Sequence, residues 1–600
     1  MVQIKDLPVE ILTQIIKGVG TPPVLPSQQH GDYQIYDPQL PQVPSRLAAL
    51  CTVCKSFRLI ATPLLYSDVV IRTTPIRGQT LDPVMLSCFL YEHNSGIEHI
   101  RRITVRGHWS GEYLQGVAPE PTYRPGIKND IFSPAVVNTL VGKLPGMDGG
   151  ITEAVAAGLL VLWVDRFRWD VDVSFSWRVM EKLMKYQPNI QSLDLFDGNC
   201  TFDRQWSEFT FHFTKLKNLC WQNFARYDSM MSFKRLIDLN WQTITTLTFS
   251  LNNFEELVED MIRHDGASIF NDGGSTEESP TFLPIAKRIF KKLLEKPEGG
   301  GASAGSLVPE RKRQMKLKDL ALWDIPLAGV ANLLTQIIDV PTLTYLAMRG
   351  CSSTDQLLNA LAAKGGSLRI KTFDIQYRTQ PEGLVQFIQS FKGLKNLYLL
   401  LECIENTEEL RNVFDSIFHH ADSLRRLVID AKEHYLSAEN IARIRSDLNL
   451  WELGLCGEAG DPDWTTTPLY SLSGPVPETL ETIHLRTLRR GLYDTSCDSL
   501  AHETTTFLNS KTYRDRKADA EALIGLHSPN MVARNKSLRC VSIGEFNRWN
   551  DFHNNGASKM WTCFLVNYVD VEFVRDVPVL NPVRMNTLYY LGLTSEVLYV

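Results

Sequence analysis

Three apolar positions recur along most of this chain with the spacing L-x-x-L-x-L, an anchor followed by two alternate residues of a strand that buries one face. They read Ile190, Leu193, Leu195; Leu216, Leu219, Trp221; and Ile244, Leu247, Phe249. After a gap come Leu317, Leu320, Leu322; Leu343, Leu346, Met348; Ile370, Phe373, Ile375; Leu394, Leu397, Leu399; Leu424, Leu427, Ile429; Leu450, Leu453, Leu455; and Leu480, Ile483, Leu485. Late copies sit at Leu538, Val541, Ile543 and at Leu588, Leu591, Leu593. Fainter early copies fit at Ile100, Ile103, Val105 and at Val164, Phe167, Trp169, where Leu159, Leu162, Val164 compete for the second register. Between these strands, residues 355–364, 383–391, 408–419 and 438–448 carry apolar faces at three- and four-residue spacing and are predicted as helices.

Successive anchors step by 26 residues from 190 to 216, 28 from 216 to 244, 26 from 317 to 343, 27 from 343 to 370, 24 from 370 to 394 and 30 from 394 to 424. That is leucine-rich-repeat spacing, with Asn252 and Cys351 at the polar position that bonds the turn leaving the strand. A strand and a helix per repeat predict a curved α/β solenoid with a parallel concave sheet. No single repeat buries both faces, so each depends on its neighbours for the roughly 1.5 to 3 kcal/mol gained per fully buried apolar side chain. Two insertions interrupt residues 71–600. One at about 263–316 carries G-G-S-T-E-E-S-P and G-G-G-A-S-A-G-S and is expected to be mobile; the other spans about 489–536. The first ends in a basic run, Arg311, Lys312, Arg313, Lys316 and Lys318, which reads either as a solvated charge cluster or as an import signal.

Residues 1–70 follow a different pattern. Leu7, Pro8, Glu10, Ile11, Leu12, Ile15 and Ile16 outline one amphipathic helix, with Asp6 placed as a cap and Pro8 in the first turn. Leu47, Leu50, Cys54, Phe57, Ala61 and Leu64 then recur at three and four residues, predicting a second helix. A Pro-rich insertion at about 18–45 separates them. The L-P-x-E-I-L opening and the V-C-K-S-F-R-L-I-A-T-P-L-L-Y stretch resemble an F-box of fungal type. The resemblance implies docking of a Skp-type adaptor and, through it, a cullin scaffold. It places Leu7, Pro8, Ile11, Leu12, Leu50, Cys54, Phe57 and Leu65 at the adaptor.

Composition narrows the remaining chemistry. With 44% hydrophobic residues the 600-residue chain can bury a large core. Its net charge of -6, from 62 basic and 68 acidic residues, offers no global field for nucleic acid or an anionic membrane. The eleven Cys are scattered apart from Cys51 and Cys54, and no apolar signal segment follows Met1, which points to a reducing cytoplasmic or nuclear setting. The Cys51-x-x-Cys54 pair lacks a second pair and falls on an apolar helix, so no metal site is predicted. Asp165, Asp170 and Asp172 read as exposed acids, and His419-His420 as a helix C-terminus whose dipole favours positive charge. No phosphate loop, nucleophile elbow or zinc motif is present, and no cofactor or catalytic residue is predicted.

What remains is a surface. The strand residues between the two last apolar anchors, such as Asp194, Asp374, Tyr398 and His484, face away from the core and, with next-but-one neighbours such as Phe196, Trp323, Arg349 and Gln376, are expected to line a concave face that binds a protein substrate. The resemblance and the repeats together imply a non-catalytic substrate receptor of a Skp-cullin-F-box ubiquitin ligase. The alternative is a repeat scaffold whose helical hairpin only caps its own core.

Overall fold

In the computed structural model the described residues are 9–20, 42–72, 99–107, 165–171, 183–184, 187–196, 213–222, 224, 226–251, 257–260, 263, 314–404, 406–431, 438–457, 479–480, 482–487, 540–543, 562–567 and 579–583. They divide between two compact units, with the boundary between Leu317 and Lys318, at the end of the predicted insertion at 263–316.

The first unit opens with three helices, α1 (Val9–Gly20), α2 (Gln42–Val53) and α3 (Lys55–Tyr66). Leu12 and Ile16 from α1, Leu47 from α2, and Phe57 and Ala61 from α3 form their buried core, flanked by Leu50, Cys51, Cys54, Ile60, Leu64 and Leu65. The single seam predicted from Leu47 to Leu64 is therefore two helices, broken where Cys54 takes an extended backbone (φ −160°, ψ 170°). The break leaves α2 with unsatisfied carbonyls. Arg58 Nε donates to the Cys51 carbonyl at 3.0 Å and so bonds the second helix's end from the third. Pro44 lies in the first turn of α2, where a missing N–H costs nothing.

One residue after α3 the chain enters a parallel sheet: β1 (Asp68–Arg72), β2 (Arg102–Gly107), β3 (Arg166–Val171), β4 (Ser192–Phe196), β5 (Asn218–Gln222) and β6 (Thr246–Ser250). Each pairs with the next, in the register Ile103, Phe167, Leu193, Leu219, Leu247. This selects the Phe167–Trp169 copy over its competitor at Leu159. Between β5 and β6 runs α4 (Tyr227–Asn240), which covers the apolar side: Phe233 packs 5.7 Å from Phe249 and edge-on to Trp221 at 6.1 Å.

The second unit alternates strand and helix: β7 (Asp319–Trp323), α5 (Ala331–Ile337), β8 (Tyr345–Arg349), α6 (Thr354–Ala362), β9 (Thr372–Tyr377), α7 (Glu382–Gln389), β10 (Asn396–Leu401), α8 (Thr407–Phe418), β11 (Arg426–Asp430), α9 (Ala438–Asp447) and β12 (Glu452–Gly457). The four helices predicted here are found within two residues of their expected ends. Two further strands, β13 (Thr482–Thr487) and β14 (Cys540–Ile543), extend the sheet. Leu320, Leu346, Phe373, Leu397, Leu427, Leu453, Ile483 and Val541 share one register across eight parallel strands. Parallel neighbours need a crossover, and the helices supply it. The last described strands, β15 (Thr562–Asn567) and β16 (Val579–Val583), run antiparallel instead. The strand expected at Leu588–Leu593 lies outside the described residues, as do Asn252 and the whole 489–536 insertion. Cys351, the other signature position, is buried and bonds the Leu322 carbonyl at 3.3 Å.

A polar staple recurs between repeats in both units. Asn240 Oδ1 accepts from the Leu216 N–H at 2.9 Å, and its Nδ2 donates to the Phe213 carbonyl. His420, also four residues before the next anchor, accepts from the Leu394 N–H on Nδ1 at 3.4 Å, and its Nε2–H donates to the Ile388 carbonyl at 2.9 Å. His420 is thus a buried neutral imidazole rather than the dipole-stabilised cation expected. Burial lowers its pKa from 6.5 to about 4, with repulsion from His419 and Lys392 adding to the shift.

Two outcomes follow. Leu397, fully buried with a strand on each side, should cost about 2 to 5 kcal/mol when changed to Ala, measured by chemical denaturation. Because His420 binds its proton more weakly folded than unfolded, its contribution is complete above pH 6.5 and is lost as pH falls toward about 4, by up to about 3 kcal/mol. His420→Asn, which copies the staple of Asn240, should remove that part of the pH dependence while keeping the fold.

Candidate functional site

Two places in the fold carry the residues singled out in the sequence. The first is the helical module. Leu12 (3% exposed) and Phe57 lie inside its core. Leu50, Cys54 and Leu65 are half-buried against that core. Leu7 and Pro8 lie outside the described residues. Ile11 stays 43% exposed on α1, and two large apolar side chains that sequence reasoning passed over, Val53 and Leu59, are 62% and 67% exposed. Leu59 was hidden because it falls off the three- and four-residue seam. An exposed apolar side chain off the core stripe is the signal that would have found it.

The second place is the sheet face opposite the apolar anchors. Expected to bind a protein substrate, it is closed in its described part: Asp194, Trp323, Arg349, Asp374, Gln376 and Tyr398 are all buried. The side chains of Phe196 and His484 lie outside the described residues. Parallel strands stand about 4.8 Å apart, so side chains at matching positions cover one another and charges meet across the ladder. An Arg on one strand pairs with an acid on the next three times: Arg168 Nε to Asp194 at 3.4 Å, Arg349 Nε to Asp374 at 3.2 Å, and Arg426 Nε to Glu452 at 3.5 Å. The partners are 26, 25 and 26 residues apart, one repeat, which is the spacing that could have revealed them.

Around the central pair the polar groups are tied to the backbone. Gln376 Oε1 accepts from the Gly350 N–H at 3.0 Å, and its Nε2 donates to Glu402 at 2.6 Å. Arg378 Nε bonds the other Glu402 oxygen at 3.1 Å. Gly350 (φ 63°) and Asp324 (φ 53°) occupy equivalent left-handed positions just past their strands, a conformation that Gly and Asp tolerate. Burial pushes the Tyr398 hydroxyl up, with the nearby Glu452 charge adding to it. Burial raises the Glu452 carboxyl as well, against the attraction of Arg426.

The reactive side chains here are held in unreactive forms. Burial, reinforced by Asp194, pushes the Cys220 thiol well up, and burial takes Cys351 to about 12, so neither is a thiolate near neutrality. Both nitrogens of His420 are bonded to the backbone. Among the described residues no group of three or more His, Cys, Asp or Glu is placed to hold a metal, and no helix is long and apolar enough to cross a membrane. Asp165 is described, whereas Asp172 and the side chain of Asp170 are not. The chain matches no family model and no curated protein sequence.

The Arg349–Asp374 pair sets a direct test. Asp374→Ala strands a cation that is 1% exposed and should cost about 3 to 5 kcal/mol in unfolding free energy. Replacing both, as Arg349→Met with Asp374→Leu, should recover most of that loss.

Proposed function

We propose that this chain is a substrate receptor of a Skp-cullin-F-box ubiquitin ligase, in which residues 1–70 dock a Skp-type adaptor and the strand-helix repeats, read as degenerate leucine-rich repeats, present a protein substrate to catalytic subunits elsewhere in the complex. The observation that carries the reading is that three large apolar side chains stay exposed on a module with its own buried core. Ile11, Val53 and Leu59 stay exposed although Leu12, Ile16, Leu47, Phe57 and Ala61 satisfy the hydrophobic demand of three short helices. The L-P-x-E-I-L and V-C-K-S-F-R motifs supply the kind of partner. Such a receptor works in the cytoplasm or nucleus.

A second reading, a non-ligase repeat scaffold, draws on the closed second face of the sheet. Arg349, Asp374, Gln376 and Tyr398 are used up in pairing within the chain, as a purely structural face would require. Substrate contact in the ligase reading therefore belongs to other surfaces of the repeats.

Co-purification with a Skp-type adaptor separates the two. Ile11→Asp with Leu59→Asp changes exposed positions, so the protein should fold, and the loss of two apolar contacts should weaken adaptor binding by well over about tenfold. An adaptor that ignores the wild-type chain would leave the scaffold reading standing.

A further inference from the structure

The second unit carries a row of cations that neither the sheet nor the proposed adaptor module uses. At the edge where the strands begin, the backbone ladder sets Lys318, Thr344, Lys371, Lys395 and Arg425 side by side. Thr344 N–H bonds the Lys318 carbonyl at 2.7 Å, Lys371 bonds Thr344 at 2.7 Å, Lys395 bonds Lys371 at 2.8 Å and Arg425 bonds Lys395 at 2.7 Å. Three successive strands, β9, β10 and β11, thus each place one positive charge at the same level, a strand spacing of about 4.8 Å apart. Arg369 adds an exposed charge two residues upstream of Lys371.

Like charges at that spacing repel, and a chain with 68 acidic residues has the means to neutralise them. Among the described residues it does not do so here. No carboxylate among the described residues comes within ion-pair distance of any of these five side chains, although ion pairs form elsewhere in the same repeats, such as Arg378 with Glu402 and Arg443 with Asp415. The Arg425 guanidinium donates to the Leu424 and Asp422 backbone carbonyls, not to a carboxylate. Helix C-terminal dipoles favour cations within the last turn, which covers neighbours such as Lys364 but not residues at the start of a strand.

We infer that this edge is a docking surface for an acidic segment of a partner protein. An extended peptide laid across the strand starts meets a cation at β7, β9, β10 and β11, with Thr344 at the β8 position. The net charge of -6 opposes a long polyanion or a lipid plane that reaches beyond the row, and a short acidic stretch stays within it. The inference concerns the second unit and stands without the ligase reading.

The test uses the full chain and a fluorescent poly-glutamate peptide, with a Gly-Ser peptide of equal length as control. Poly-glutamate should bind in preference to the control, and the binding should weaken steeply as salt is raised. A Lys318→Gln, Lys371→Gln, Lys395→Gln triple variant should bind at least about tenfold more weakly. The matching Lys→Arg variant should retain binding. Because repulsion is relieved, the Gln variant should also melt at a higher temperature than the wild type at low salt, with a smaller salt dependence. Equal binding of the two peptides, undiminished binding by the folded Gln variant, or displacement of the peptide by less single-stranded DNA or phosphatidylserine vesicle than poly-glutamate, compared at equal charge, would overturn the proposal.

Discussion

Everything in these two units depends on keeping one register from strand to strand. A parallel strand has period-two side chains, so a slip of one residue at any repeat would turn its Leu anchors out of the core and its polar residues into it. The anchors make that slip expensive: Leu346, Phe373, Leu397 and Leu427 stack at one level and are each fully buried. The same lock sets the opposite face. Once Leu397 is aligned with Phe373, Tyr398 must stand beside Asp374, and Arg426 beside Glu452 once Leu427 meets Leu453. The charge pairs of the second face, the polar staples at Asn240 and His420 and the cation row along the strand starts are all products of that alignment.

The repeat was legible because its signal is redundant. Each copy presents the same three apolar positions at nearly the same interval, so an error in one copy is corrected by its neighbours, and the ladder follows the predicted phase throughout its parallel run. The helical module was legible only in part. Leu47, Leu50, Cys54, Phe57, Ala61 and Leu64 keep helical spacing straight through the break at Cys54, so periodicity cannot register that the chain turns there. The break shows only in three dimensions, through Arg58 bonding the Cys51 carbonyl.

Burial of the second face was not legible from single strands. Alternation says that Asp374 and Arg349 point away from the apolar anchors, and it is silent on whether water lies beyond. Whether such a residue is solvated depends on what stands one repeat away, and the pairing of 168 with 194 and of 426 with 452 becomes visible only after the repeats are stacked. His420 misled for a related reason. Its position at the end of α8 suggests a cation facing a dipole, but the turn carries the ring inward against Phe391, at 5.0 Å, where a neutral imidazole serves two backbone groups.

The functional account rests on a division of labour between the helical module and the repeats. Hydrogen-deuterium exchange of the full chain, with and without a Skp-type adaptor, tests that division most directly. The account predicts added protection in α1, α2 and α3 and none in β7 to β12. Protection appearing in the strands, or unchanged exchange in the three helices at saturating adaptor, would contradict it.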